Sequence, residues 1–266
     1  MRKAQMTGPA GNRWAAASAA EAHYLRMSRL CRMDTPSLRR LLSNGPAQVA
    51  PWLETAAIYG SVRAQVALGQ ILLDGDGVPK DPERALGWFV RAAQAGSPEG
   101  MNMAGRCLEN GWGGAVDLVA AAQWYRQAAA RGYDWGEYNY ANMLFDGRGV
   151  ARDLEGAFEG YRRAAAQGHA RAMNLLARCL EEGWGVRRDS AQARAWYRRA
   201  AEGGYFRARF NYASLLAADG EVAAALPLFR SALQAATPES AEAMRGLLAL
   251  HPDPLIAALA TSGRTP

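Results

Sequence analysis

Residues 61–96 read SVRAQVALGQILLDGDGVPKDPERALGWFVRAAQAG, and residues 169–204 read HARAMNLLARCLEEGWGVRRDSAQARAWYRRAAEGG. Laid over each other, they match at Leu72 and Leu180, Gly75 and Gly183, Gly77 and Gly185, Asp81 and Asp189, Ala85 and Ala193, and Phe89 and Tyr197. Copies at 97–132 and 133–168 fill the interval without a gap, and a shortened fifth copy starts at Tyr205. A 36-residue unit kept in register four times is the signature of a stacked-repeat solenoid, which presents an extended surface and usually binds rather than catalyses.

Each column has a physical reading. The first half of a unit carries apolar residues three or four apart, as in Leu68, Ile71 and Leu72, the spacing of an amphipathic helix. The Gly-x-Gly pair suits a helix C-cap followed by a tight loop. The aspartate that follows is a natural N-cap for a second helix. Paired alanines (Ala92–Ala93, Ala128–Ala129, Ala164–Ala165, Ala200–Ala201) allow close helix approach, and a glycine at 96, 132, 168 and 204 stops the unit. Each unit is a helical hairpin that cannot bury its own apolar face, so stacking supplies the core. The fold class expected is all-α, a right-handed α-solenoid of stacked hairpins with helical caps.

These columns resemble the Sel-one-like repeat family, a branch of the tetratricopeptide superfamily. In the first copy the matching positions are Ala64, Leu68, Gly69, Leu72, Gly75, Gly77, Val78, Asp81, Ala85, Trp88, Phe89, Ala92, Ala93 and Gly96; in the fourth, Gly183, Gly185, Val186, Asp189, Ala193, Trp196, Tyr197, Ala200, Ala201 and Gly204. Leu stands for the usual Tyr at 72, 108, 144 and 180, and Gly160 stands for Trp in the third copy. The resemblance implies an adaptor or scaffold for protein partners, often in bacterial signalling or envelope functions.

Outward from the repeats, 1–13 is expected to be disordered and 14–60 to form a helical N-terminal cap. Trp52, Ala56, Ala57 and Gly60 there fall one period before Trp88, Ala92, Ala93 and Gly96. Asp34 or Thr35 is expected to cap a short helix that Asn44–Gly45 ends. Repeats fill 61–204, a shortened fifth repeat 205–236, and capping helices with a fraying tail 237–266. No domain boundary is expected inside 14–260.

The chain has 266 residues, half of them apolar, with a net charge of +6. No apolar run approaches bilayer length, and no N-terminal stretch reads as a signal peptide. Cys107 and Cys179 share an apolar column with Ile71, Met143 and Leu215, which points to core thiols in a reducing compartment. A cytoplasmic place is expected on these grounds, and abundant alanine with an arginine bias, the only lysines being Lys3 and Lys80, fits a bacterium with a GC-rich genome. His23, His169 and His251 are scattered, so neither a metal nor a cofactor is expected. No phosphate loop or nucleophile with a placed base stands out, so the chain is not expected to be an enzyme.

Unshared columns are the candidates for function. The second and fourth copies share Met101-Asn102 and Met173-Asn174, Arg106-Cys107-Leu108-Glu109 and Arg178-Cys179-Leu180-Glu181, and Trp112 and Trp184. Duplication of a two-repeat block accounts for this; so does a binding surface. The groove stripe on the first helices is taken as the equivalents of 63, 66, 70, 73 and 74. It holds Asn102, Arg106 and Glu109, then Trp135, Tyr138 and Asn142, then Asn174, Arg178 and Glu181, then Arg207. These ten are the candidate partner-binding residues. Aromatics anchor, Arg forks to carboxylates or carbonyls, and Asn pairs with peptide backbone. The plainer alternatives are that Arg106–Glu109 and Arg178–Glu181 are surface pairs and that Trp135 and Phe145 are core.

Residues 161–210 hold eleven arginines and four acids. That surface supports an alternative role with nucleic acid or an acidic partner, although the absence of a nucleic-acid-binding motif makes the first of these the weaker expectation. The leading expectation is a monomeric, non-catalytic scaffold for a protein or peptide partner, with no membrane span.

Overall fold

The computed structural model describes residues 9–34, 37, 41 and 43–261; for 9–18 and 20 it describes the backbone alone. Among the described residues every element is helical: α1 (Pro9–Leu30), α2 (Pro46–Ile58), α3 (Val62–Asp74), α4 (Pro82–Gln94), α5 (Pro98–Asn110), α6 (Leu118–Ala129), α7 (Asp134–Asp146), α8 (Leu154–Ala166), α9 (Ala170–Glu182), α10 (Ser190–Glu202), α11 (Phe206–Ala218), α12 (Val222–Ala235), α13 (Pro238–Ala249) and α14 (Pro254–Ala257), which runs into a 3₁₀ turn at Ala258–Ala260. Consecutive helices pair as hairpins, as the columns require. The chain divides into two compact units, 1–124 and 125–266, with the boundary inside α6.

In the first unit, α3 starts where Ser61 Oγ accepts from Ala64 N–H and ends at Gly75 in the left-handed region. Asp81 Oδ1 accepts from Arg84 N–H at 3.0 Å and starts α4. The core gathers Leu68, Leu72, Phe89, Ala92 and Cys107. His23 Nδ1 and Thr55 Oγ1 lie 2.9 Å apart and tie α1 to α2. α1 begins at Pro9, not at Trp14: proline lacks only an N–H that a helix start leaves unpaired anyway, and its φ is preset for the first turn. The disorder expected of 1–8 and most of the short helix after Asp34 lie outside the described residues; of that helix, Asp34 Oδ1 accepts from Ser37 N–H at 2.9 Å.

The second unit repeats the scheme. Asp153 and Asp189 cap α8 and α10, and Gly147 and Gly183 close α7 and α9 in the left-handed region. The aromatic column is fully enclosed at Tyr125, Tyr161 and Tyr197; burying each ring contributes about 1.5–3 kcal/mol. A Cβ on Gly136 would stand 2.6 Å from Ala128 Cβ, so glycine lets α7 seat directly on the alanine pair of α6. The short fifth repeat turns at Gly220, and α12 follows from Val222. Thr237 and Asp253 cap α13 and α14 through Ser240 N–H and Leu255 N–H. Phe210, Phe229, Met244, Leu248 and Ile256 form the core at this end.

Candidate partner-binding groove

Within the second unit, α7, α9 and α11 are the first helices of successive repeats. Asn174, expected on the open groove, is 5 % exposed, and Asn102, its counterpart in the first unit, is 4 % exposed. The same column buries Val66 and Phe210. It faces the adjoining helices, so polar members need a partner: Asn211 Nδ2 on α11 donates to Asn174 Oδ1 on α9 at 2.9 Å. Asn174 is thus groove floor rather than a free hydrogen-bonding group.

Above this floor lies a pocket of about 400 Å³. α7 contributes Tyr138; α9 contributes Arg171, Asn174, Leu175 and Arg178; Tyr205 precedes α11, which contributes Arg207, Phe210 and Asn211; α13 contributes Ser240, Ala243, Met244 and Leu247. A second chamber of about 270 Å³ adjoins it, lined by Asn142, Phe145, Asp146, Tyr161, Leu175, Arg178, Cys179 and Trp184. Leu175 and Arg178, one helical turn apart, border both.

Of the expected residues in this unit, Tyr138, Asn174, Arg178 and Arg207 meet in the larger pocket, and Asn142 lines the smaller one. Asn142 Oδ1 there accepts from Tyr161 Oη at 2.8 Å. Glu181 lines neither: its Oε2 accepts from Tyr197 Oη at 2.7 Å and joins α9 to α10. Trp135, at 37 % exposure, lies edge-on to His169 with Arg171 over its ring. Phe145 packs on Trp184 at 5.1 Å and against the core, as the plainer alternative held for it. In the first unit, Arg106 lies over Trp112 at 5.3 Å, the same pairing that Arg178 makes with Trp184 at 5.0 Å; Glu109 is half-buried on the same helix.

The Arg171, Arg178 and Arg207 guanidiniums lie 5.4, 5.0 and 5.8 Å from the rings of Trp135, Trp184 and Phe206. Such contacts orient a guanidinium without neutralising it. Five of the other eight arginines of 161–210 are engaged with acids: Arg162 with Glu159, Arg163 with Glu137, Arg188 with Glu182, Arg198 with Glu202, and Arg194 with both Asp219 and Glu221. That engagement counts against the broad arginine surface as the acting one.

His169 supports the pocket from beneath. Its Nδ1 accepts from Ala172 N–H at 3.1 Å and caps α9, where the first two copies use serine. The ring stacks on Tyr138 at 4.7 Å. Burial pushes its pKa below the usual value, with Asp134 opposing and Arg171 adding to the shift. Burial also raises the Cys107 and Cys179 thiols to about 11, which keeps them protonated and unreactive. Among the described residues no cluster of His, Cys, Asp or Glu could hold a metal, and no helix is long and apolar enough to cross a membrane.

Sequence reasoning missed Tyr205, Leu175, Asn211 and the α13 wall. The Asn174–Asn211 spacing of 37 residues was a usable signal, since Asn102 and Asn139 repeat it. Nothing in the repeat columns points to α13.

Hairpins built on these columns define a helical-repeat solenoid protein. The Sel1 repeat model matches residues 62–97, 98–133, 136–169 and 170–205, more than half of the chain. The chain belongs to the Sel1 repeat family, whose members are generally protein-interaction scaffolds. Among solved structures, it is similar to a Sel1 repeat protein from Oxalobacter formigenes, at 23% identity and a TM-score of 0.71, over 85% of this chain and 96% of that one. It is also similar to a protective antigen present in uropathogenic Escherichia coli strains, which displays an SLR fold, at 25% identity and a TM-score of 0.67. That match covers 92% of this chain but 53% of the antigen, so the chain spans about half its length. No curated protein matches the chain.

Proposed function

We propose that the chain is a non-catalytic scaffold that holds a segment of a partner protein in the groove formed by α7, α9, α11 and α13. The observation that carries this reading is the pocket of about 400 Å³ where Tyr138, Asn174, Arg178 and Arg207 converge. It combines aromatic and aliphatic contact area with oriented forked donors, the composition of interface hot spots. The buried, unreactive Cys107 and Cys179 and the exposed free Cys31 fit a reducing compartment such as the cytoplasm. The test is site-specific photocrosslinking in the native host, with the photoreactive residue at Tyr138, Leu247 or Arg198. A protein adduct from Tyr138 and Leu247, with none from Arg198 on α10, is expected. Adducts from Arg198 alone would move the binding surface to the second helices and defeat the proposal.

A further inference from the structure

We infer that the occupant of this groove is an acidic amphipathic segment, with carboxylates on one side and apolar side chains on the other. The inference rests on the groove reading above and adds the chemistry of the ligand.

The larger pocket has two kinds of wall. Arg171 and Arg178 on α9 and Arg207 on α11 supply one. Ala243, Met244 and Leu247 on α13 supply the other, with Leu247 63 % exposed. Among the described residues, no Asp or Glu lines this pocket, and none of the three arginines forms an ion pair or a hydrogen bond. Their guanidiniums lie over the rings of Trp135, Trp184 and Phe206. The larger pocket therefore offers three guanidiniums, each with five donors, and no carboxylate in its own lining; Asp146 lines only the adjoining chamber, which Arg178 also borders. Several other arginines of the same unit are matched to carboxylates, Arg194 to Glu221 across 27 residues among them. A neutral peptide would leave this charge uncompensated, and a basic one would be repelled. A purely acidic ligand would leave Met244 and Leu247 wet. Only a segment carrying both characters answers both walls, and carboxylates take the forked geometry of Arg particularly well.

The test uses the full chain and a random-peptide display selection, followed by fluorescence anisotropy on labelled synthetic peptides from the selection. Four proteins are compared: wild type, the triple variant Arg171→Glu/Arg178→Glu/Arg207→Glu, Leu247→Asp, and Arg198→Glu as the charge control on α10. Thermal melts followed by circular dichroism establish that each is folded. Expected is enrichment of peptides with two or more Asp or Glu beside Leu, Ile, Phe or Met. Their affinity should fall at least about tenfold in the triple variant and in Leu247→Asp, and much less in Arg198→Glu. The triple variant, selected afresh, should enrich basic amphipathic peptides. Neutral or basic peptides that bind wild type and are lost in Leu247→Asp would overturn the ligand chemistry while leaving the groove reading standing. Peptides indifferent to Leu247→Asp and to the triple variant would overturn both. Single-stranded or duplex oligonucleotides that displace the peptides with a steep salt dependence would also overturn the acidic-peptide assignment, in favour of nucleic acid.

Discussion

Asn174 and Asn211 stand 37 residues apart and meet side chain to side chain, Nδ2–H of Asn211 on Oδ1 of Asn174 at 2.9 Å. The pair locks α9 to α11 beneath the groove. Replacing Asn174 by Ala removes the acceptor and leaves a cavity at a site only 5 % exposed. The expected loss is about 1–3 kcal/mol, read as a lower urea midpoint with an unchanged slope.

Gly185 has φ +69°, and a Cβ added there would run into the carbonyl oxygen of Leu154. Gly185→Ala therefore combines left-handed strain with a backbone clash. The loss should reach at least about 2 kcal/mol, whereas Gly87→Ala, inside α4 where a Cβ meets nothing within 4 Å, should be neutral or stabilising. Paired thermal melts of the two variants check the contrast.

The cap on α9 makes stability depend on pH. The Nδ1 of His169 accepts a hydrogen bond, so protonation there breaks the cap, and burial lowers the folded-state pKa. The unfolded chain then binds the proton first. The contribution of His169 is fully present above the unfolded value of about 6.5 and is lost as pH falls from there toward the depressed folded value. His169→Ser, the residue of the first two copies, should cap without titrating. Denaturant midpoints at about pH 7.5 and pH 5 should differ more for wild type than for the serine variant.

Glu137 is buried at 5 % exposure and receives Arg163 Nε–H at 2.8 Å, while its Oε2 has no partner among the described residues. The second and fourth copies place Met101 and Met173 at this position. Glu137→Met should be neutral or stabilising, because an apolar side chain removes the desolvation cost. Arg163→Ala strands the carboxylate and should cost about 2 kcal/mol, less than a fully buried pair because Arg163 is half exposed. Melting the two variants side by side should give opposite signs, or near zero against a clear loss.

The hairpin order was legible because its punctuation is local. Asp81, Asp153 and Asp189 each bond the N–H three residues on, and the glycine that follows each first helix takes the left-handed conformation, so a single column encodes each event. The groove was legible as a face but not in depth. A helical stripe shows which residues share a side, whereas the neighbouring first helix decides that Asn174 is floor and Arg178 is rim. Arginine engagement was illegible for the same reason: Arg194 finds Asp219 and Glu221 across 25 and 27 residues, on the far side of a repeat. The α13 wall depends on how a cap docks, which repeat columns do not record.

Arg178 and Leu175 border both chambers of the groove. A ligand group that draws the Arg178 guanidinium toward the larger chamber shifts it relative to Trp184, which lines the smaller one. If the proposed groove takes a ligand, occupancy of the two spaces is thermodynamically linked. Truncations of a ligand at its two contact points will not sum, and a double-mutant cycle across them should return an interaction energy of about 0.5 kcal/mol or more. On the proposed reading, the groove takes a pair of side chains as one word.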